Sequence, residues 1–477
     1  MSVAITGRGL TREALVRVAR DAERVELDPA AVERMDRSRA VLEAALAAGQ
    51  PIYGASTAVG VLKRAALDGD AAATYSRRML LQHRVAQGPD AAPELVRGTM
   101  LRLANAFAEG SPGVRPILAQ RLVEALNGGE LPRIRTLGSI GQADLAQMAD
   151  LATALFGEIE LGAGEGLALL GSNAFSTAAA ALALTDVERL LATMEVAGAL
   201  SLEAIAARPT LLHPAIGDVR PYPGLRRTLA TLGRFLEGSG LYDAGAPRQL
   251  QDPLSFRNLP HIVGAARDTF DHADAQLAIE LNASQGNPIV LPATGEVISV
   301  ANFEILPLAI ALDALRVGLA AAVAAAAERT VKLLETPWSG LPTGLATSGD
   351  PSDPGLGYWG IATQSLAAEA RLLAAPVAHE IVSTAHAEGI EDRMTMAPLA
   401  ARRTADMVGF AERVVALELG AAAQAVELRG LRPGTGTRLA MTRIREVMPA
   451  LVAGATVPDA EPLVGLVRSG AFEDLPG

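Results

Sequence analysis

Residues 138–146 read Gly-Ser-Ile-Gly-Gln-Ala-Asp-Leu-Ala, and the interpretation of the whole chain depends on this stretch. Only Gln142 and Ala143 separate Gly141 from Asp144. Further short motifs lie on both sides of it, namely I-Y-G at 52–54, E-G-L-A-L at 165–169, R-P-Y-P-G at 220–224 and Q-D-P-L-S-F-R at 251–257. The stretch is therefore one part of an ordered set of motifs that extends over most of the chain.

The composition favours a helical protein with a large core. The chain has 477 residues, of which 50% are hydrophobic and only 3% aromatic. Alanine and leucine dominate and are strong helix formers, whereas aromatic and β-branched residues, which favour strands, are scarce. The net charge is −11 and no block of lysines or arginines occurs, so we expect no nucleic-acid partner.

Cysteine and histidine usage excludes several kinds of site. The chain contains no cysteine, so disulfides, thiolate nucleophiles and zinc–cysteine sites cannot form. The six histidines are dispersed without an H-x-x-x-H pair, and we expect no metal. The most membrane-like segment, 305–327, carries Asp313 and Arg316 near its middle, whereas a span needs about 20 uncharged apolar residues. We expect a buried helix there, no membrane partner, no secretory signal and a cytoplasmic location.

Hydrophobic periodicity predicts long helices from about residue 174 onwards. The segments concerned are 176–207, 223–237, 268–282, 303–335, 363–374, 397–428 and 438–452. Loops rich in glycine, proline and aspartate separate some of them. This arrangement predicts an N-terminal active-site region, residues 1–173, and a long-helix bundle with C-terminal helices, residues 174–477.

The motifs resemble those of the aromatic amino acid ammonia-lyase family, which includes histidine, phenylalanine and tyrosine ammonia-lyases and aminomutases. The likeness runs from about residue 10 to about residue 408 and includes an S-G-V-R-like turn at 113–115, Asn302-Phe303 and Glu391-Asp392. It implies a mainly α fold of the ammonia-lyase (fumarase/aspartase-like) superfamily. It also implies a homotetramer whose active sites take residues from three subunits.

The centre of the 138–146 motif differs from the family pattern, G-S-V-G-A-S-G-D-L-A. In the family, the internal Ala-Ser-Gly cyclises into an electrophilic prosthetic group, methylidene-imidazolone (MIO). This chain has Gln142-Ala143 instead, with one residue fewer and neither serine nor glycine between Gly141 and Asp144. The resemblance therefore implies a divergent member with a degenerate MIO loop and no cofactor.

Other residues match positions that act on the substrate in the family. Tyr53 corresponds to the tyrosine that removes the substrate's β-proton, and Arg257 to the arginine that binds its carboxylate through paired charge-assisted hydrogen bonds. A phenol with a pKa near ~10 must be acidified or desolvated for this task. The remaining matches are Glu391 near the amine or side chain, His83 at the position that selects the substrate ring, Gln251 as a polar positioning group and Phe303 as an apolar wall.

The losses cluster around the same predicted site. Leu254 replaces a family tyrosine, Arg393 replaces a histidine, and Ala58-Val59-Gly60 replaces a G-F-G tip. The family asparagine is lost near residues 171–173, where Asn173 is a candidate substitute, although a displacement of two positions on a helix would turn it away. Because the scaffold motifs persist, this pattern indicates a repurposed pocket.

The sequence is compatible with three functions. The leading hypothesis is an MIO-independent lyase-like enzyme that binds an amino-acid-like or aryl-propanoid carboxylate. It would use Tyr53 with Glu391 or His83 for elimination, addition or isomerisation, since acid–base groups supply typically ~10²–10⁴-fold each. The first alternative is a non-catalytic homologue that binds ligand or co-assembles with an active paralogue. The second is a carboxylate-binding cyclase with a largely apolar pocket.

Overall fold

A computed structural model of the chain describes residues 2–63, 65–67, 69–350, 352–379 and 389–476. Within these residues the protein is mainly α-helical, which confirms the predicted class. The helices are α1 (Arg12–Asp21), α2 (Pro29–Ala47), α3 (Gly69–Gln82), α4 (Pro93–Glu109), α5 (Pro116–Gly128), α6 (Leu145–Phe156), α7 (Glu165–Leu170), α8 (Ala174–Ile205), α9 (Ala215–Val219), α10 (Pro223–Phe235), α11 (Leu254–Arg257), α12 (Leu259–Glu280), α13 (Leu306–Leu334), α14 (Thr336–Ser339), α15 (Trp359–Leu373), α16 (Ala397–Arg429), α17 (Thr435–Val447) and α18 (Glu461–Arg468).

The strands are short and form two-stranded sheets. In the described residues β1 (Val3–Ile5) pairs in parallel with β2 (Val25–Leu27). The other pairs are antiparallel: β3 (Gln87–Asp90) with β4 (Arg135–Leu137), and β5 (Ile289–Leu291) with β6 (Glu296–Ile298). The chain leaves β4 directly into the 138–146 stretch, so this small sheet fixes where the loop begins.

The chain divides into two compact units. The first comprises the described residues of Met1–Thr185, Asp274–Leu312 and Pro376–Arg402, and the second those of Asp186–Ala273, Asp313–Ala375 and Arg403–Gly477. The first unit contains the 138–146 stretch and most of the matched motif residues. The second contains the Q-D-P-L-S-F-R motif.

Helix α4 lies at the centre of the first unit and packs against α1, α2 and α5. Its side chains Arg102 and Asn105 are buried, yet both are polar. Arg102 Nε donates to the carbonyl oxygen of Glu280 at 2.8 Å, and Asn105 Nδ2 donates to that of Leu281 at 3.0 Å. Because buried donors need partners, these bonds attach the C-terminal end of α12 and the residue after it to helix α4.

The second unit is a helix bundle with a buried ion pair in its core. Arg329 on α13 and Glu418 on α16 are 1% and 0% exposed at their side chains. Two guanidinium nitrogens lie 2.6 and 2.9 Å from the two carboxylate oxygens, and Ser201 Oγ donates to Glu418 at 2.6 Å. Arg329 and Ser201 both donate to Glu418, so these hydrogen bonds join the three long helices α13, α8 and α16.

Among the described residues, two stretches of helix are long and apolar enough to cross a membrane by length and composition. They are Glu165–Ile205 and Leu306–Leu334, and 83% and 61% of their most apolar windows are buried inside the protein. Helix α13 also carries the buried pair of Asp313 and Arg316, whose side chains bind each other. Both stretches are therefore core helices, in agreement with the expectation for 305–327.

Candidate active site

A cavity of about 440 Å³ lies in the first unit, beside the 138–146 stretch. Its lining includes the predicted site residues Tyr53, His83, Phe303 and Glu391, together with the loop residues Gln142 and Ala143. The remaining lining residues are Val59, Gly60, Met79, Gly138, Ser139, Ile140, Leu145, Leu167, Leu170, Gly171, Asn287, Ser299 and Ile390. The walls are therefore largely apolar, with a few polar groups that converge on one space, as in ligand sites generally.

The loop itself is held in a strained shape. Ala143 has φ +59°, in the left-handed region that non-glycine residues rarely adopt. Gly141 precedes it at φ +83°. Ser139 Oγ accepts the N–H of Gly141 at 3.1 Å and lies 3.1 Å from the carbonyl oxygen of Ala143, so one hydroxyl closes the turn. Such strain persists only where surrounding contacts impose it.

Asp144 secures the end of the loop from inside the protein. Its carboxylate is buried and accepts the N–H and the hydroxyl of Ser176 at 2.8 and 2.7 Å. Burial raises the pKa of Asp144 to about 6, and the hydrogen bonds from Ser176 and Ser139 oppose that shift. The backbone N–H of Asp144 also donates to Ser172 at 2.9 Å. The residue thus anchors the start of α6 and the loop together.

Asn173 binds the backbone of the loop and does not line the cavity. It is fully buried, and its Nδ2 donates to the carbonyl oxygen of Gly141 at 3.1 Å. Its backbone N–H donates to Gln285 at 3.1 Å. The side chain that the sequence suggested for substrate binding therefore makes its described contact with the loop backbone.

Tyr53 and a neighbouring tyrosine support the loop around residues 57–60. Tyr53 Oη accepts the N–H of Gly60 at 3.0 Å, and Tyr75 Oη accepts the N–H of Val59 at 2.8 Å. Burial raises the pKa of the Tyr53 phenol above its usual value, and the negative charge of Glu391 raises it further, whereas the bond from Gly60 opposes the shift. In this form of the protein Tyr53 is therefore a neutral phenol at physiological pH.

His83 lies at the end of α3 with one ring nitrogen already engaged. Its Nδ1 lies 2.8 Å from the carbonyl oxygen of Met79, which can only accept, so this nitrogen carries a proton. The other nitrogen, Nε2, then accepts a hydrogen bond when the ring is neutral and donates one when it is charged. The histidine can therefore serve either a donor or an acceptor on a ligand.

The predicted carboxylate-binding residues lie in the second unit and do not line this cavity. Arg257 ends α11 and its guanidinium donates to the side-chain oxygen of Gln251. Both residues are exposed, and Leu254 is 58% exposed. Arg257 and Gln251 therefore lie next to each other, but they are not among the residues that line this cavity.

Sequence reasoning missed several residues of the site. Asn287 and Ser299 line the cavity, Thr395 is buried against the loop, and Glu304 binds the side chain of Gln142 at 3.0 Å. Glu304 directly follows the matched Asn302-Phe303 pair, so the motif gave a signal for its neighbourhood. Nothing in the sequence pattern indicated its contact with Gln142.

The residues around the loop do not fit an MIO group built from the chain. Gln142 and Ala143 provide no hydroxyl for dehydration, and the Gln142 amide is already bound to Glu304. Among the described residues, no cluster of three or more histidine, aspartate or glutamate side chains is placed to hold a metal ion.

Comparison with known proteins identifies a family. The sequence model for aromatic amino acid lyase matches residues 10–161 and 158–446. A histidine ammonia-lyase of Deinococcus radiodurans is 32% identical, with 98% of this chain and 94% of the relative covered. The same enzyme of Gloeobacter violaceus is 34% identical, with 98% and 96% covered.

Solved structures agree with this fold. Ergothionase of Treponema denticola, an ergothioneine-degrading enzyme in complex with desmethyl-ergothioneine sulfonic acid, has a TM-score of 0.93 and 29% identity, with 100% of both chains covered. Histidine ammonia-lyase of Trypanosoma cruzi has a TM-score of 0.89 and 26% identity, with 99% and 94% covered. The predicted ammonia-lyase fold is therefore confirmed.

The same comparisons correct the functional hypothesis. Relatives that are 32–34% identical over nearly the whole chain are histidine ammonia-lyases, and they favour an ordinary ammonia-lyase of this family over an MIO-independent enzyme. The hypothesis of an MIO-independent lyase-like enzyme, with its non-catalytic and cyclase alternatives, is wrong on this finding. The absence of the Ala-Ser-Gly triad remains a fact of the sequence and is separate from the reaction class.

Proposed function

Because the chain belongs to the aromatic amino acid lyase family, we propose that it is a lyase that eliminates the amine from an imidazole-bearing amino acid. The substrate is L-histidine or a histidine-derived betaine such as ergothioneine. The names of the curated relatives and of the ergothionase support this substrate class. The observation that carries the proposal is that Tyr53, His83 and Glu391 line one cavity together with Gln142 of the loop.

Three side chains of this cavity are assigned chemical roles. Tyr53 takes the β-proton of the substrate, and a cationic amine bound nearby lowers the cost of ionising its phenol by opposing Glu391. His83 binds a nitrogen of the imidazole ring through Nε2, and Phe303 packs on the ring face. Glu391 stands near the amine, where its negative charge is complementary.

The carboxylate end of the substrate is assigned to Arg257, with Gln251 as its positioning partner and Leu254 as an apolar contact. These residues act on the cavity of another subunit in a homotetramer, in which residues 1–173 supply the active-site region and 174–477 the bundle. Light scattering at micromolar concentration tests the assembly, and a strictly monomeric species would contradict it. The proposed location is the cytoplasm.

The chain is also proposed to be a divergent member of its family that lacks the MIO-forming triad. Intact mass spectrometry tests this directly, because cyclisation and dehydration remove water from the chain. We expect the mass calculated from the sequence. A deficit of water confined to a peptide that spans residues 138–144 would overturn this part of the proposal.

The reaction is tested by incubating the purified protein with L-histidine and, separately, with ergothioneine. Elimination gives a conjugated imidazole acrylate, so near-ultraviolet absorbance should rise with at least one of the two. Released ammonia or trimethylamine is measured in parallel. Phenylalanine and tyrosine serve as comparison substrates. If neither imidazole substrate reacts, or if phenylalanine or tyrosine reacts faster than both, the proposed function is wrong.

A further inference from the structure

The side chain of Gln142 is fixed by a carboxylate at the edge of the cavity. Gln142 Nε2 donates to Glu304 Oε2 at 3.0 Å, and the two residues also form an antiparallel backbone bridge. The other carboxylate oxygen of Glu304 accepts the N–H of Leu306 at 3.2 Å, in the first turn of α13. The position of Glu304 is therefore set by a 29-residue helix and not by an exposed loop.

This contact decides which way the Gln142 amide faces. A carboxylate can only accept, so the amide nitrogen must be the atom that meets Glu304. The carbonyl oxygen Oε1 then points away from Glu304, and within the described part of the chain it accepts no hydrogen bond. Because Gln142 lines the cavity, Oε1 is an acceptor available to a ligand. The neighbouring negative charge polarises the amide and strengthens this acceptor.

The backbone under Gln142 is held in advance of binding. Its neighbours Gly141 and Ala143 both have positive φ and bridge each other. The carbonyl oxygen of Gly141 accepts from two buried side chains, Asn173 at 3.1 Å and Thr395 at 2.9 Å. The loop backbone is therefore already ordered before a ligand binds, so that binding to the Gln142 amide requires little further ordering of the chain. This arrangement is expected at a binding site.

The charge around the amide selects the kind of group that binds there. Glu304 lies next to Gln142, Glu391 lines the same cavity, and the described lining residues include no lysine or arginine. An acceptor beside carboxylates favours a cation with N–H groups and disfavours the substrate's carboxylate.

We propose that Gln142, oriented by Glu304, binds the protonated amine of the substrate through its side-chain oxygen. This inference rests on the proposed function and deepens it, since it assigns the amine subsite. It gives Gln142 a substrate-binding role that its place in the altered loop did not suggest. The predicted contact is a charge-assisted hydrogen bond from the ammonium of L-histidine to Oε1, whereas the trimethylammonium of ergothioneine has no N–H group and would meet Oε1 through its charge alone.

Calorimetric binding of two probes tests the assignment. L-histidine carries the amine, and 3-(imidazol-4-yl)propionate lacks it. Gln142→Ala should weaken binding of L-histidine by about tenfold or more, the loss expected for a hydrogen bond to a charged group, and leave the propionate unaffected. The matched control is Gln364→Ala, because Gln364 Nε2 donates to Glu328 at 2.9 Å in the second unit. That variant should bind both probes as the wild type does.

A second pair of variants separates binding from damage to the loop. Gln142→Glu places two carboxylates against each other and should disturb the site. The double swap Gln142→Glu with Glu304→Gln restores the hydrogen bond between them and should recover L-histidine binding. Equal weakening of both probes in Gln142→Ala, or no recovery in the double swap, would overturn the inference, as would a wild type that does not bind L-histidine. If histidine binds in this pattern but no substrate is turned over, the inference stands and the proposed function fails.

Discussion

Thr395 Oγ1 donates a hydrogen bond to the carbonyl oxygen of Gly141 at 2.9 Å, across 254 positions of sequence. The backbone N–H groups of Thr395 and Met396 also donate to the carbonyl oxygen of Ile140, at 3.1 and 2.9 Å. The segment that carries Glu391 is thus fastened to the loop that carries Gln142. Because Thr395 is fully buried, water cannot replace these bonds.

Replacing Gly141 by alanine should break this junction. A Cβ at this position would lie 2.1 Å from Thr395 Oγ1 and 3.0 Å from the N of Ala397, and φ is +83°. The control is Gly49→Ala, where φ is +74° but no heavy atom lies within 4 Å of the added Cβ. The control should lower the free energy of unfolding only by the strain of a left-handed alanine, about 1–2 kcal/mol. Denaturant unfolding should show a larger loss for Gly141→Ala; equal losses would mean that the close contact is unimportant.

The buried Asp144 predicts a specific dependence of stability on pH. Its folded pKa is about 6, above its ordinary value of 3.8. The folded state therefore holds a proton that the unfolded state releases between pH 3.8 and 6. The stabilising contribution is complete below pH 3.8 and is lost as pH rises through about 6, by about 3 kcal/mol in total.

Urea unfolding of the wild type and Asp144→Asn at several pH values checks this dependence. Asparagine does not titrate, so the stability of the wild type relative to the variant should fall from pH 4 to pH 6 and then level off. The other carboxyl groups are common to both proteins and cancel in this difference. A difference that is constant over the range, or that grows with pH, would contradict the assignment.

The ion pair of Arg329 and Glu418 should be far more sensitive to disruption than a surface pair. Arg329→Met leaves the Glu418 carboxylate buried with Ser201 as its remaining polar contact, which should cost about 3–5 kcal/mol. The control is Arg133→Met, because Arg133 pairs with Asp90 at side-chain exposures of 74% and 53%. Loss of this exposed pair should leave the free energy of unfolding almost unchanged, because solvent screens its charges. Unfolding free energies that differ by less than 1 kcal/mol would contradict the role given to the buried pair.

Helix boundaries could be predicted from the sequence where they depend only on nearby residues. The segment predicted as 223–237 is α10, Pro223–Phe235, which begins with proline in its first turn. The segment predicted to begin at 268 begins at Leu259 instead. Gly264 weakens the helical pattern there, yet an added Cβ would lie 2.6 Å from the N of Leu225, so the glycine serves close packing. A contact of that kind cannot be recognised from one sequence.

The candidate site was likewise predictable where short motifs mark its residues, and not where residues distant in sequence meet. The motifs led to Tyr53, His83, Phe303 and Glu391, which do line one cavity. They did not lead to the contact between Gln142 and Glu304, which are 162 positions apart. Motif resemblance finds residues that a family shares, whereas this contact involves a residue that departs from the family pattern. Only the folded chain brings the two side chains together.

Two tyrosines allow the proposed proton transfer to be tested with a closely matched control. Tyr53 Oη accepts the N–H of Gly60 at 3.0 Å, and Tyr75 Oη accepts the N–H of Val59 at 2.8 Å. Each Tyr→Phe change removes one hydroxyl and one bond to the same short loop. Each should therefore cost a similar amount of stability, about 1 kcal/mol.

Turnover should separate the two variants. Tyr53 lines the cavity and Tyr75 does not, so Tyr53→Phe should lower kcat by about 10²-fold or more, the range for loss of an acid–base group, with little change in KM. Tyr75→Phe should keep most of its activity. Because the phenol of Tyr53 has a raised pKa, kcat of the wild type should also increase as pH rises above neutrality, and this increase should persist in Tyr75→Phe. If both variants lose the same activity, the hydroxyls act by supporting the loop, and Tyr53 is not the group that takes the proton.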